Sequence, residues 1–200
     1  MKHRVFISYH HYNDQEFKDE LIEMADKNGI FIDYSVHIGD ISDDLTDEQI
    51  REIIRDDYLK DSSVTIVLVG AETKNRKHVD WEIYSSMHDG KINKKSGIIV
   101  INLPSTHCAD FTAAHKGEKE NVFPENSQWC SIDSRAEYER RYPLMPDRII
   151  DNLINKDAKI SIISWNQLTP QKLKFMIDKA YEDRINCEYD LSHPLKRKNA

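Results

Sequence analysis

Two hundred residues, 39% of them hydrophobic and 32% charged, fit one domain able to bury a core without disulfides or a structural metal. A formal net charge of −7 argues against the broad basic face that DNA or RNA requires, so no nucleic-acid partner is expected. Cys108, Cys130 and Cys187 form an odd set without CxxC spacing, no apolar signal region precedes Val5, and no apolar run approaches the roughly 20 residues of a membrane helix; a cytoplasmic location without a membrane partner is expected.

Val5-Phe6-Ile7-Ser8 is a short apolar run of the kind that makes a buried strand. Asn13 and Glu16 then read as a capping pair for a helix whose buried stripe is Phe17, Leu21, Met24 and Ala25. Asn28-Gly29 closes it with residue types that tolerate a left-handed backbone, and Ile30 to Tyr34 follow as a second strand. The polar stretch from Ser35 to Thr46, with Gly39 and Asp40, reads as a loop. Thr46 and Gln49 make a capping box before Ile50, Ile53 and Ile54, which predicts a second helix. Val64 to Val69 is apolar but for Thr65, as a central parallel strand buried on both faces should be, and it ends at Gly70. Val79, Ile83 and Met87 recur every four residues, so residues 75–89 are predicted helical; Ile98 to Ile101 is the fourth strand. From Pro104 to Tyr142 the periodicity fails apart from a short helical stretch over 133–141, and the segment reads as a long insertion within the single domain, a candidate lid. Pro146 precedes a helix carrying Ile149, Ile150, Leu153 and Ile154. Ile160 to Ile163 is a fifth strand, and Thr169-Pro170 caps a last helix carrying Leu173, Met176, Ile177, Ala180 and Tyr181. The tail through Lys196-Arg197-Lys198 reads as frayed. Alternating strands and helices with short connections predict the α/β class: an open, flavodoxin-like, five-stranded parallel sheet with helices on both faces.

Sheets of this kind bind ligands outside the carboxyl ends of their strands, where the strand order reverses. The segments of interest are therefore Ser8 to His11, Tyr34 to Asp40, Gly70 to Glu82 and the insertion. No GxGxxG follows the first strand and no GxxxxGK[ST] occurs, which removes the ordinary dinucleotide and P-loop readings. A phospho-receiver domain needs an aspartate where this chain has Val69-Gly70. Cys108, His115 and Cys130 are zinc-compatible residue types at spacings that match no zinc pattern, and no metal is expected. The acidic run from Asp40 to Glu48 reads as a solvated face and helix-start charge. Taken alone, a helical glutamate such as Glu82 and a loop pair such as His10-His11 are ordinary polar surface.

Ser63 to Gly70, followed by Thr73, Asn75-Arg76 and Val79-Asp80-Trp81-Glu82-Ile83, resembles the third strand and following helix of TIR-like domains, and among them the TIR subunit of the Thoeris antiphage system. Arg4 to Tyr9 resembles the first strand of the same family. The resemblance implies that Glu82 is the essential glutamate of an NAD glycohydrolase or ADP-ribosyl cyclase, with NAD as substrate and no cofactor. It implies a pocket wall at Ser8 and Tyr9 and a loop for substrate access or assembly flanked by Asp33, Tyr34 and Asp40, while the place of His10 near the end of the first strand makes it a candidate substrate contact. His78 stands one turn before Glu82, where many TIR domains carry tryptophan. Trp81 points about 100° away around the helix and reads as core. The chemistry asks for a carboxylate on its own account. Breaking the nicotinamide–ribose bond builds positive charge on the sugar, which a nearby anion stabilises, while nicotinamide leaves neutral and needs no strong acid. The resemblance further implies that the nucleotide product, ADP-ribose or a cyclic isomer, acts on a separate effector protein, and that TIR domains self-assemble. Two other readings stay open: a non-catalytic module signalling by homotypic assembly, and a nucleoside deoxyribosyltransferase-like enzyme that ignores NAD.

Overall fold

In the computed structural model, which describes residues 2–35, 46, 49, 52–91 and 93–199, all the predicted strands pair in parallel. They are β1 (His3–Ser8), β2 (Phe31–Asp33), β3 (Val64–Val69), β4 (Gly97–Asn102) and β5 (Ser161–Ser164), in the order β2-β1-β3-β4-β5. The chain steps from β1 to one side for β2 and to the other for β3, so the order reverses beside β1. The helices are α1 (Gln15–Asn28), α2 (Lys77–Met87), the one-turn α3 (Glu118–Asn121), α4 (Arg135–Arg141), α5 (Asp147–Ile154) and α6 (Pro170–Asp183). No helix among the described residues is long and apolar enough to cross a membrane.

Strand parity divides the core in two. Val5, Ile7, Ile66, Leu68, Ile99 and Ile101 pack against Leu21 and Ala25 of α1 and Leu173, Met176, Ile177 and Ala180 of α6. Val67, Val69, Ile98, Val100 and Ile162 meet Val79, Ile83 and Met87 of α2 and Ile149, Ile150 and Leu153 of α5. This double coverage is why β3 and β4 are almost wholly apolar; the buried exception within β3, Thr65, donates its hydroxyl to Ser86 Oγ at 2.8 Å. On the α6 face the helix comes so close to β4 that a Cβ on Gly97 would lie 2.2 Å from the Ala180 carbonyl oxygen. Since backbone cannot give way as a side-chain tip can, Gly97→Ala is expected to destabilise the fold by about 2 kcal/mol. A lowered denaturant midpoint at unchanged m-value would report it.

Several termini form as their residues predict. Gly29 caps α1 at φ +63°, Thr169 Oγ1 accepts the Lys172 N–H at the start of α6, and Thr46 and Gln49 exchange their capping-box bonds at 2.9 and 3.3 Å. Beyond that box, a π-turn over Ile54–Tyr58 and a 3-10 turn over Leu59–Asp61 pack Ile54 and Leu59 on Phe6; Ile50 lies outside the described residues. α2 spans less than the predicted 75–89, because a 3-10 turn over Thr73–Asn75 precedes it. The start of α1 also differs. The residue before the helix is Asp14, and its side chain makes no cap bond. Its buried carboxylate instead lies against Gly70, where a Cβ would come within 2.5 Å of Oδ2. The beginning of α1 and the end of β3 are thereby pressed together.

Two expectations are corrected. The insertion is no lid over the β1–β3 switch: it is fastened to β5, at the edge of the sheet farthest from β2. Thr112 pairs with Ile162 in an antiparallel bridge, and the buried Glu118 carboxylate accepts from the Ala114 and His115 N–H groups and from Ser161 Oγ. Phe111, Phe123 and Trp129 then close a small aromatic cluster, with 4.4 Å between the Phe111 and Phe123 ring centroids. Nor is the tail frayed. It runs across α5 and α2, with Asp190 N–H donating to Asn152 Oδ1, Arg148 Nη1 to the His193 carbonyl, Trp81 Nε1 to the Lys196 carbonyl and Lys77 N–H to Asn199 Oδ1.

Candidate active site

Strand parity and helix phase bring Ser8 and Glu82 together. On β1, Val5 and Ile7 face α1 and α6, which turns Phe6 and Ser8 toward the opposite side. On α2, Val79 and Ile83 are buried in the core, and Glu82, one position earlier than Ile83, is directed toward β1. Ser8 Oγ donates to Glu82 Oε2 at 2.6 Å. Ser8 is fully buried and Glu82 is 4% exposed. Burial pushes the Glu82 carboxyl up to about 8, with the Ser8 hydrogen bond and the charge of Lys18 acting in the opposite sense. A carboxyl of this kind, at the carboxyl end of the strand where the order reverses, has the placement and the perturbed proton affinity of a functional group.

The neighbouring groups follow from the same turn. Tyr9 is buried, its hydroxyl donates to Gln15 Oε1, and burial followed by the Glu82 charge raises its pKa. The His11 ring stacks on Tyr9 at 4.4 Å, and Lys18 Nζ lies 5.3 Å from the Tyr9 ring centre. Burial, then the Lys18 charge, lowers His11 to about 4, so this ring is neutral at physiological pH. His10 is 7% exposed, and its Nδ1 accepts the Asn13 N–H at 3.2 Å. Burial and then the Arg76 charge lower its pKa as well.

The other predicted positions are more dispersed. His78 is exposed, with its ring 5.1 Å from Trp81, while its charge reaches His11. Trp81 is 4% exposed and bonded to the tail, in accord with its reading as core. The Tyr34 ring carries the Arg4 guanidinium at 5.0 Å, four positions before Ser8 on β1. Asp40 lies outside the described residues. Cys108 Sγ bonds the Arg141 carbonyl, Arg141 Nη2 donates to Cys130, and His115 pairs with Asp183, so the three zinc-compatible side chains turn to different partners.

Lys18 and Arg76 were missed as site residues. Lys18 is 1% exposed, and its signal was legible: it falls on the same helical stripe as Leu21 and Ala25, where an apolar residue is expected. An open cavity of about 540 Å³ lies elsewhere, between the insertion and α5, with Trp129, Tyr138, Arg141, Lys156 and Lys159 in its wall. Its cations are engaged, Arg141 by Glu137, Lys156 by the Ile132 carbonyl and Lys159 by Asp183. The convergence of perturbed groups at the switch point therefore outweighs the size of that cavity in locating the site.

The sequence family described as Thoeris protein ThsB, TIR-like domain, matches residues 6–107, from β1 to just beyond β4. That span contains Ser8, Lys18, Arg76 and Glu82 and ends where the insertion begins. No curated protein matches the chain.

Proposed function

Because the chain belongs to the ThsB TIR-like domain family of Thoeris antiphage defence, we propose that it cleaves the nicotinamide–ribose bond of NAD, with Glu82 as the catalytic carboxylate. The observation that carries this reading is the buried Glu82 carboxyl, hydrogen-bonded by Ser8 at the β1–β3 switch. As the C1′–N bond breaks, its electron pair leaves with nicotinamide, which departs neutral, and positive charge grows on the ribosyl ring. Ionised Glu82 stabilises that charge in surroundings drier than water, where electrostatic stabilisation is large. The Ser8 hydroxyl holds the carboxylate in one orientation. Water then captures the sugar cation to give ADP-ribose, or a hydroxyl of the adenosine ribose captures it to give a cyclic isomer, the attacking oxygen releasing its proton to solvent; either product is the signal to a separate effector.

The proton on Glu82 gives this reading a pH signature. With a carboxyl at about 8, most ligand-free molecules are protonated at neutral pH, and the ionised form is the active one. kcat/KM for NAD is therefore expected to rise with pH and level off above about 8. The bound pyridinium cation favours the anion, so the kcat profile should rise at lower pH than kcat/KM does. The direct test is to incubate the protein with NAD at high protein concentration and follow nucleotides by mass spectrometry. Nicotinamide should appear together with ADP-ribose or its cyclic isomer. Intact NAD alongside turnover of deoxynucleosides, or alongside self-association alone, would remove the proposal.

A further inference from the structure

The chemistry above makes no use of Arg76, which stands in the connection between β3 and α2. Its Nε is buried and has no hydrogen-bond partner among the described residues. Nor does Arg76 form an ion pair among them, although acids outnumber Lys and Arg by 35 to 28 in this chain. Arg4, Arg135, Arg140, Arg141 and Arg148 are each held by a carboxylate. Burying part of a guanidinium without an acceptor costs free energy, and an anion that accepts from it recovers that cost.

Across the switch point stands His10. Since its Nδ1 accepts the Asn13 N–H, a neutral ring carries its proton on Nε2 and presents a donor there. The segments that carry them meet: Thr73 Oγ1 lies 3.4 Å from Asp14 Oδ2, the Asp14 N–H donates to the His10 carbonyl and the Arg76 N–H to the Thr73 carbonyl, and the charge of Arg76 acts on His10. Glu72, whose charge also reaches His10, is exposed, and solvent weakens its opposing field. The two donors thus flank the place where sheets of this topology receive phosphates.

We propose that Arg76 and His10 form an anion subsite at the carboxyl ends of β1 and β3 that takes the phosphates of a nucleoside diphosphate, the guanidinium donating to phosphate oxygens and the imidazole Nε2–H adding a neutral donor. The subsite rests on the reading of the β1–β3 switch as a nucleotide site, and it supplies the pyrophosphate anchor of NAD while Glu82 addresses the ribose. A planar guanidinium suits this task because it can engage two phosphate oxygens at once.

The test is calorimetric titration of the full chain with ADP, adenosine and inorganic phosphate, repeated with Arg76→Ala and Arg76→Lys. ADP should bind at least about tenfold more tightly than adenosine or inorganic phosphate. Arg76→Ala should weaken ADP roughly 10- to 100-fold and adenosine less than about twofold, with Arg76→Lys between. Equal losses for ADP and adenosine would make Arg76 structural and overturn the subsite, as would a wild type that binds the two alike. If Arg76→Ala does not fold, the same comparison with Arg76→Lys and with Arg76→Gln decides it. The cleavage assay separates the two proposals. Intact NAD with Arg76-dependent ADP binding overturns the enzymatic reading alone; NAD cleavage whose KM does not respond to Arg76→Ala overturns the subsite alone.

Discussion

Glu82→Gln is expected to abolish NAD cleavage and at the same time to make the protein more stable above pH 8. The loss of activity follows from charge: glutamine fills the same space and its amide oxygen still accepts from Ser8, but it offers no anion to the growing sugar cation, and a fall of at least about 10³-fold is expected. The gain in stability follows from the same burial. The carboxyl sits at about 8 in the folded chain against an ordinary 4.5, so between those values the folded protein binds the extra proton. The contribution of the protonated group is fully present below about 4.5 and is lost as pH rises through about 8, so wild-type stability declines across that window. Glutamine has no proton to lose. The difference should vanish near pH 4.5 and reach on the order of 3–5 kcal/mol above pH 8, a Tm rise of roughly 6–20 °C. Melting curves of both proteins from pH 5 to 9 measure it. Curves that stay parallel across the range would mean that Glu82 is not desolvated, and with it the electrostatic account of the site would go.

Much of this geometry is legible in the residues, and the parts that are not share a cause. Val64 to Val69 announces a doubly covered strand because apolar side chains point to both of its faces, with Thr65 the one polar exception. Glu82 is found because the helix periodicity places it beside Ile83, and the TIR resemblance gives it a role. The capping pair at Asn13 and Glu16 fails because the neighbouring Asp14 carboxylate is committed to a contact with Gly70, a partner that local spacing cannot reveal. The order of the tail is hidden for the same reason. Its residues look solvated, yet Lys196 N–H meets Asp80 across 116 positions of sequence. The insertion has no helical or strand period because its fastening points are a buried glutamate, one β-bridge and three aromatic rings. Lys18 stands out as a lysine on an apolar stripe, whereas an arginine in a turn, such as Arg76, becomes a signal only once burial and partners are known.

Arg148→Met should be the most destabilising of the single changes considered, although it lies outside the candidate site. Arg148 is fully buried, donates from Nε to Asp80 Oδ1 at 2.9 Å and from Nη2 to Asp80 Oδ2 at 3.2 Å, and gives Nη1 to the His193 carbonyl. Asp80 Oδ2 also accepts the Lys196 N–H, so one ion pair joins α2, α5 and the tail. Removing the cation leaves the Asp80 carboxylate buried with the backbone bond as its remaining described partner, at a cost of about 3–5 kcal/mol. The tail loses its anchor at His193 in the same step. Because Asp80 sits two residues before Glu82, loosening this strap also loosens the helix that carries the Glu82 carboxyl. A lowered denaturant midpoint, early proteolytic loss of the segment after Asp190 and weaker NAD turnover should therefore appear together. Asp80→Leu combined with Arg148→Met replaces the pair by apolar groups and should recover much of the stability, since the cost of the single change is an uncompensated charge rather than a lost attraction. If the double variant is instead as unstable as the sum of its parts, the pair is not coupled, and the tail must be held by the Trp81–Lys196 and Asn152–Asp190 bonds on their own.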